Sequence, residues 1–153
     1  MLNETTVETV VLLRGEKVDG HVEIDLDVSN AGSELIMSNS DNPKRGAVFQ
    51  KQVLAWFQKE YSAEFQLEKR IPIGNPAKDH KFDIVDAAGT IAIECKRYTW
   101  TETGNVPSAK MGFTNEAAFY LSFLPDSYEK YIVMLKSHHP KRNEKSMRRL
   151  LRI

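Results

Sequence analysis

"HKFDIVDAAGTIAIECKRYTW", residues 80–100, decides the fold. Two short runs rich in β-branched residues flank Ala87-Ala88-Gly89, which predicts two strands joined by a tight hairpin. Side chains alternate along a strand, so Ile91, Ile93 and Cys95 share one face and Ala92, Glu94, Lys96 and Tyr98 the other. On the first strand Lys81, Asp83 and Val85 are expected opposite Phe82 and Ile84. Glu94 and Lys96 then stand about 7 Å apart at Cα, and antiparallel pairing brings Asp83 beside Glu94. Charge inside an apolar strand is costly unless it is paired or put to use. Two converging carboxylates repel unless a cation joins them. Oxygen ligands and water suit magnesium, and a lysine beside them can orient or deprotonate a water. The plainer alternative is an ion pair on a solvated strand face, with Cys95 a core residue on the apolar face.

Outward from the hairpin, the chain alternates helix and strand signals. Asn42 before Pro43 reads as an N-cap and first helical residue. The helix they open is expected to run to about Tyr61, with Phe49, Val53, Trp56 and Phe57 as its apolar stripe. "EFQLEKRI" reads as a strand, and "PIGNPAKD" as a loop marked by two prolines and a glycine. After the hairpin, residues 101–113 read as a loop, and Thr114 as the cap of a helix whose Ala117, Tyr120, Leu121 and Leu124 share a face before Pro125. "YIVMLK" is a buried strand by composition, and "NEKSMRRLLRI" a basic amphipathic helix. Before residue 42 the chain reads as β-rich, "HVEIDLDV" alternating Val22, Ile24, Leu26 and Val28 against Glu23, Asp25 and Asp27. Those acids lack the glycine and converging carbonyls of a calcium loop. The expected class is α/β, one domain over 1–153: a β-rich extension over 1–41, an α-β-β-β-α-β core with a mixed sheet over 42–137, and a basic helix over 138–153.

The 153 residues suit a single domain with a real core. No apolar run approaches the roughly 20 residues of a membrane span, so no membrane partner is expected. A single cysteine rules out an intrachain disulfide and makes a reducing, cytoplasmic home the expectation. The zero net charge hides an asymmetry: residues 1–41 carry a net of −7 and residues 136–153 a net of +6. A basic end suits nucleic acid, a solvated helix face, or pairing with the acidic end. His138-His139 point apart as strand neighbours, and the chain beyond them is too short for an HNH nuclease unit. His80 reads as structural or as a phosphate contact, and Tyr98 and Trp100 as packing or base-stacking aromatics.

Asp83, ten residues, then Glu94-Cys95-Lys96 resembles the D-x(n)-E-x-K signature of the PD-(D/E)xK nuclease superfamily. The α-β-β-β-α-β order resembles its restriction-endonuclease-like core, with the motif on the second and third strands. The resemblance implies that Asp83, Glu94 and the backbone carbonyl of Cys95 ligate Mg2+, for which Mn2+ substitutes. It implies that Lys96 positions or activates the attacking water. Two departures stand out. Phe82, not proline, precedes Asp83, and Gln50 occupies the place of an inward glutamate on the first helix. Gln50 can hydrogen-bond a metal-bound water but adds no charge. Lys44, Arg45, Arg97 and Lys110 are the expected nucleic-acid contacts, Lys110 because it lies near an anion-friendly helix start. The implied activity is metal-dependent hydrolysis of phosphodiester bonds in DNA, as an endonuclease, with RNA left open and a homodimer natural for cutting two strands. The alternative is a nucleic-acid-binding or assembly module on the same fold that has lost catalysis.

Overall fold

The computed structural model describes residues 10–14, 17–22, 42–97, 103, 108–134, 138–139 and 142–146, with side chains over 43–97, 103 and 112–134. Helix α1 spans Asn42–Tyr61, the range expected from Asn42-Pro43. Proline suits the first helical position because its missing N–H would have no partner there. Phe49, Val53 and Phe57, four residues apart, bury on one face, with Leu54 and Trp56 packed beside them. Phe57 is the centre of an aromatic cluster, its ring 5.9 Å from Phe65 and 5.2 Å from Tyr131.

Strands β1 (Val10–Arg14), β2 (Lys17–Val22), β3 (Phe65–Ile73), β4 (Lys78–Asp86), β5 (Ile91–Lys96) and β6 (Glu129–Met134) form one sheet in the order β2-β1-β6-β5-β4-β3. β5 and β6 run parallel and the other neighbours antiparallel, so the sheet is mixed. Helix α2 (Ser108–Ser122) connects β5 to β6, the kind of crossover a parallel pair requires. From residue 42 the order is the expected α-β-β-β-α-β, and the class is mixed α/β. Of the β-rich N-terminal segment, β1 joins β6 and β2 joins β1, while Glu23, Asp25 and Asp27 lie outside the described residues.

The sheet buries both faces. Ile91, Ile93, Tyr131 and Val133 pack with Phe49, Val53 and Phe57 of α1. Ala92, Ile132 and Met134, the alternate residues, pack with Ala117, Leu121 and Leu124 toward α2. Gly89, at φ +71, closes the β4–β5 hairpin by donating its amide to the Asp86 carbonyl, and a side chain there would meet the Tyr128 hydroxyl at 3.1 Å. The Asp86 carboxylate accepts the amides of Thr90 and Ile91 and the Thr90 hydroxyl. Burial opposes its charge, but these bonds outweigh burial and hold its carboxyl below the ordinary range. At the far end of α2 the buried Lys130 ammonium donates to the Leu124 carbonyl, 2.7 Å away.

Four expectations need correction. α2 begins at Ser108, and Thr114 is a buried residue inside it. Ser108 after Pro107 is an earlier start signal, and the 101–113 loop shrinks accordingly. The expected loop at 72–79 shortens to Gly74–Ala77, because β3 runs through Pro72 and Ile73, which pair with Asp79 and Lys78. β7 (His138–His139) and β8 (Arg142–Ser146) pair antiparallel, so the basic helix does not occupy 138–146. Residues 143–146 carry no apolar side chain for a helix to bury, and residues 147–153 are outside those described.

The fourth correction bears on the site. Phe82 and Val85 pack toward α2 and Ile84 toward α1, so Phe82 and Ile84 do not share a face. β3 changes phase at the same place: Phe65 and Leu67 face α1, Ile71 and Ile73 face α2. The pairing of β3 with β4 skips one step, Glu68 opposite Asp83, and Glu68 sits at φ +53. Both strands therefore slip by one face at a single cross-strand pair. No helix among the described residues is long and apolar enough to cross a membrane.

Candidate functional site

β4 and β5 pair only at Ile84↔Ile93 and Val85↔Ala92. Beyond Ile93 the Cys95 amide has no β4 carbonyl to meet, and the Asp83 carboxylate takes its place, accepting that N–H on Oδ2 at 2.7 Å. Asp83 Oδ1 accepts Nε2–H of Gln50 from α1 at 2.8 Å. The phase slip at Glu68/Asp83 is what aims Asp83 at α1 and Gln50. Both Asp83 oxygens are thus oriented by the two elements the sequence nominated.

A cleft of about 290 Å3 opens where α1 begins and β5 ends, lined by Pro43, Gly46, Ala47, Phe49, Gln50, Glu68, Asp83, Cys95, Lys96 and Arg97. Glu94 is not among these. It follows Ala92 in strand phase, toward α2, and its side chain is 7% exposed. Lys96 joins the two sides: it lines the cleft and its Nζ stands 3.4 Å from Glu94 Oε2. Burial first, and the Asp83 charge second, raise the Glu94 carboxyl from its ordinary 4.5 to about 8, against the opposing pull of Lys96. Glu94 Oε1 is buried with no hydrogen-bond partner.

His80 lies on the α2 side of Glu94, its Nε2 3.8 Å from Oε1. The ring stacks on Tyr120 of α2, centroids 3.9 Å apart at 19°, and meets Phe82 edge-on at 4.6 Å. Burial, the largest influence, lowers the imidazole pKa, and the carboxylates of Asp83 and Glu116 partly offset it. The Cys95 thiol packs against the α1 core, and burial followed by the charges of Asp83 and Glu94 pushes it well above the ordinary thiol range. The residue is partly buried, packed against the α1 core on one side and lining the cleft on the other.

Asp83, Glu94, Lys96, Gln50 and the Cys95 backbone therefore meet at one end of the sheet. Arg97 lines the same cleft, and Lys44 and Arg45 stand in the first turn of α1 between its lining residues Pro43 and Gly46. Lys110 belongs to the first turn of α2, not to a loop, and its side chain lies outside those described, as do Tyr98 and Trp100. Two residues escape a sequence reading. Glu68 has no sequence mark of a positive φ, which glycine, asparagine or aspartate adopt far more readily. The Tyr120 stack that orients His80 joins residues 40 positions apart.

Among the described residues no three His, Cys, Asp or Glu side chains form a ready-made metal cage. The residues present nevertheless fit a hard dication at the carboxylate pair. A buried carboxylate oxygen without a hydrogen-bond partner, beside a second carboxylate, is where a cation would supply the missing partner. No family model, no curated protein and no solved structure matches the chain.

Proposed function

We propose that this chain is a metal-dependent nuclease with the restriction-endonuclease-like fold, hydrolysing phosphodiester bonds in DNA as an endonuclease. The observation that carries the reading is the convergence of Asp83, Glu94 and Lys96 where β4 and β5 part, with Gln50 of α1 bonded to Asp83. Asp83, Glu94 and the Cys95 carbonyl are the proposed ligands of Mg2+, with Mn2+ substituting. When bound, the ion supplies a more acidic water and neutralises phosphate charge. The protein's own residues position the reactants. Gln50 and the Cys95 amide fix the Asp83 carboxylate, and Lys96 holds its ammonium at the cleft, where it orients the attacking water. Arg97 lines the cleft and Lys44 and Arg45 flank it, a cationic rim suited to the phosphate backbone. Acting as a homodimer, the chain would cut two strands.

A second reading is a nucleic-acid-binding module without catalysis on the same fold. Gln50 favours it, since a neutral amide stands where a third carboxylate would add charge. The test is incubation with supercoiled plasmid, single strands and a four-way junction in Mg2+, Mn2+ or EDTA. Cleavage that needs the ion and disappears in Asp83→Ala supports the nuclease. DNA retained without cleavage supports the binding module, and neither activity sinks both readings.

A further inference from the structure

Glu94 Oε1 and His80 form an unusual pair. The oxygen is buried without a hydrogen-bond partner, on a side chain 7% exposed. The nearest imidazole nitrogen, His80 Nε2, is 3.8 Å away, too far for a hydrogen bond. Two atoms bound to one ion at about 2.0–2.1 Å each can be no more than about 4.2 Å apart, so the 3.8 Å gap lies within the reach of a single cation. His80 is also held in place: Tyr120 covers one face of its ring and Phe82 meets it edge-on. A side chain kept only for packing at this position needs no nitrogen aimed at a carboxylate.

We propose that His80 is a further ligand of the cation, binding through Nε2 opposite Glu94 Oε1, and that its imidazole turns the site toward transition-metal dications such as Mn2+ and Zn2+. The inference rests on the metal-site reading above and deepens it. Carboxylate and water ligands suit magnesium, whereas an imidazole adds affinity for first-row transition ions and little for magnesium. Glu94 and His80 would thus give a mixed oxygen and nitrogen pair drawn from β5 and β4, braced by α2 through Tyr120.

The test uses the whole chain and the ions themselves. Zn2+ and Mg2+ affinities are measured calorimetrically for the wild type, His80→Phe, His80→Ala and Asp83→Asn, and pulsed EPR of the Mn2+-loaded proteins reads nitrogen ligation. His80→Phe keeps a ring on Tyr120 and removes the nitrogen; circular dichroism confirms that each variant folds. The expected result is at least about a tenfold loss of Zn2+ affinity in both His80 variants, little change for Mg2+, and loss of the nitrogen modulation. Unchanged Zn2+ affinity and nitrogen signal in a folded His80 variant, with both ions lost in Asp83→Asn, would overturn the role of His80 and leave the metal site standing. If the wild type binds no ion at all, the metal-site reading fails and this inference with it.

Discussion

Replacing Glu94 by glutamine tests the electrostatics of the site through folding stability, with no cleavage measurement needed. The side chain is nearly fully buried, and its carboxyl rises from 4.5 to about 8. The folded protein therefore holds this proton more tightly than the unfolded chain does. The stabilisation is complete below about pH 4.5 and is lost as pH rises toward 8. At about 1.4 kcal/mol per pKa unit, the ion-free protein loses up to about 5 kcal/mol across that window through this one residue. His80 works in the opposite sense, its lowered pKa adding stability as pH rises through its ordinary 6.5, so the comparison is made against the wild type. Glu94→Gln keeps the shape and cannot ionise. Urea unfolding of both proteins in EDTA, at steps from about pH 3.5 to 9.5, should show the variant gaining on the wild type by up to about 5 kcal/mol, with a plateau at each end. Mg2+ at pH 8 should shrink the gap by stabilising only the wild type. Two unfolding curves that stay parallel across the window would refute the reasoning, because Glu94 would then ionise as freely in the folded protein as in the unfolded chain.

Three further outcomes follow from particular contacts. Glu68→Gly relieves the positive φ and should raise stability by about 1 kcal/mol, whereas Glu68→Val, which resists that conformation, should cost about 1–3 kcal/mol; denaturant midpoints and slopes check the pair. Gln50→Glu sets a second carboxylate against Asp83 Oδ1, 2.8 Å from the present amide nitrogen, so it should destabilise the ion-free protein and tighten Mg2+ binding, read by thermal unfolding with and without the ion. Phe57→Ala empties the centre of the α1-side aromatic cluster and should cost about 3–5 kcal/mol in urea unfolding.

The parts of the fold that were legible in the sequence are those where a period and a punctuation mark agree. α1 carries Asn42-Pro43 at its start and a four-residue apolar spacing to Phe57. The β4–β5 hairpin carries β-branched runs around a glycine that must take a positive φ. The motif's meeting point was legible too, because the hairpin register alone sets Asp83 against Glu94. The direction of Asp83 was not. Strand alternation puts it with Val85, but the slip at Glu68/Asp83 turns it toward Gln50, and only the two finished strands reveal that slip. The start of α2 was hidden because Gly112 and Thr114 imitate a loop and a cap, while the helix holds them by burying Thr114, Ala117 and Leu121. The β7–β8 hairpin was hidden because its residues are polar and carry no period.

The central claim is that Asp83, Glu94 and Lys96 are one catalytic set. Single-turnover cleavage of a DNA duplex and a four-way junction in Mg2+, by the wild type, Asp83→Asn and Lys96→Met with ion binding measured on the same samples, tests it most directly. The account predicts cleavage by the wild type that EDTA stops. It predicts loss of both cleavage and ion binding in Asp83→Asn, and a rate lower by about 10²–10⁴-fold with ion binding intact in Lys96→Met. Wild-type ion binding without cleavage, or cleavage that survives in Lys96→Met at the full rate, would contradict it.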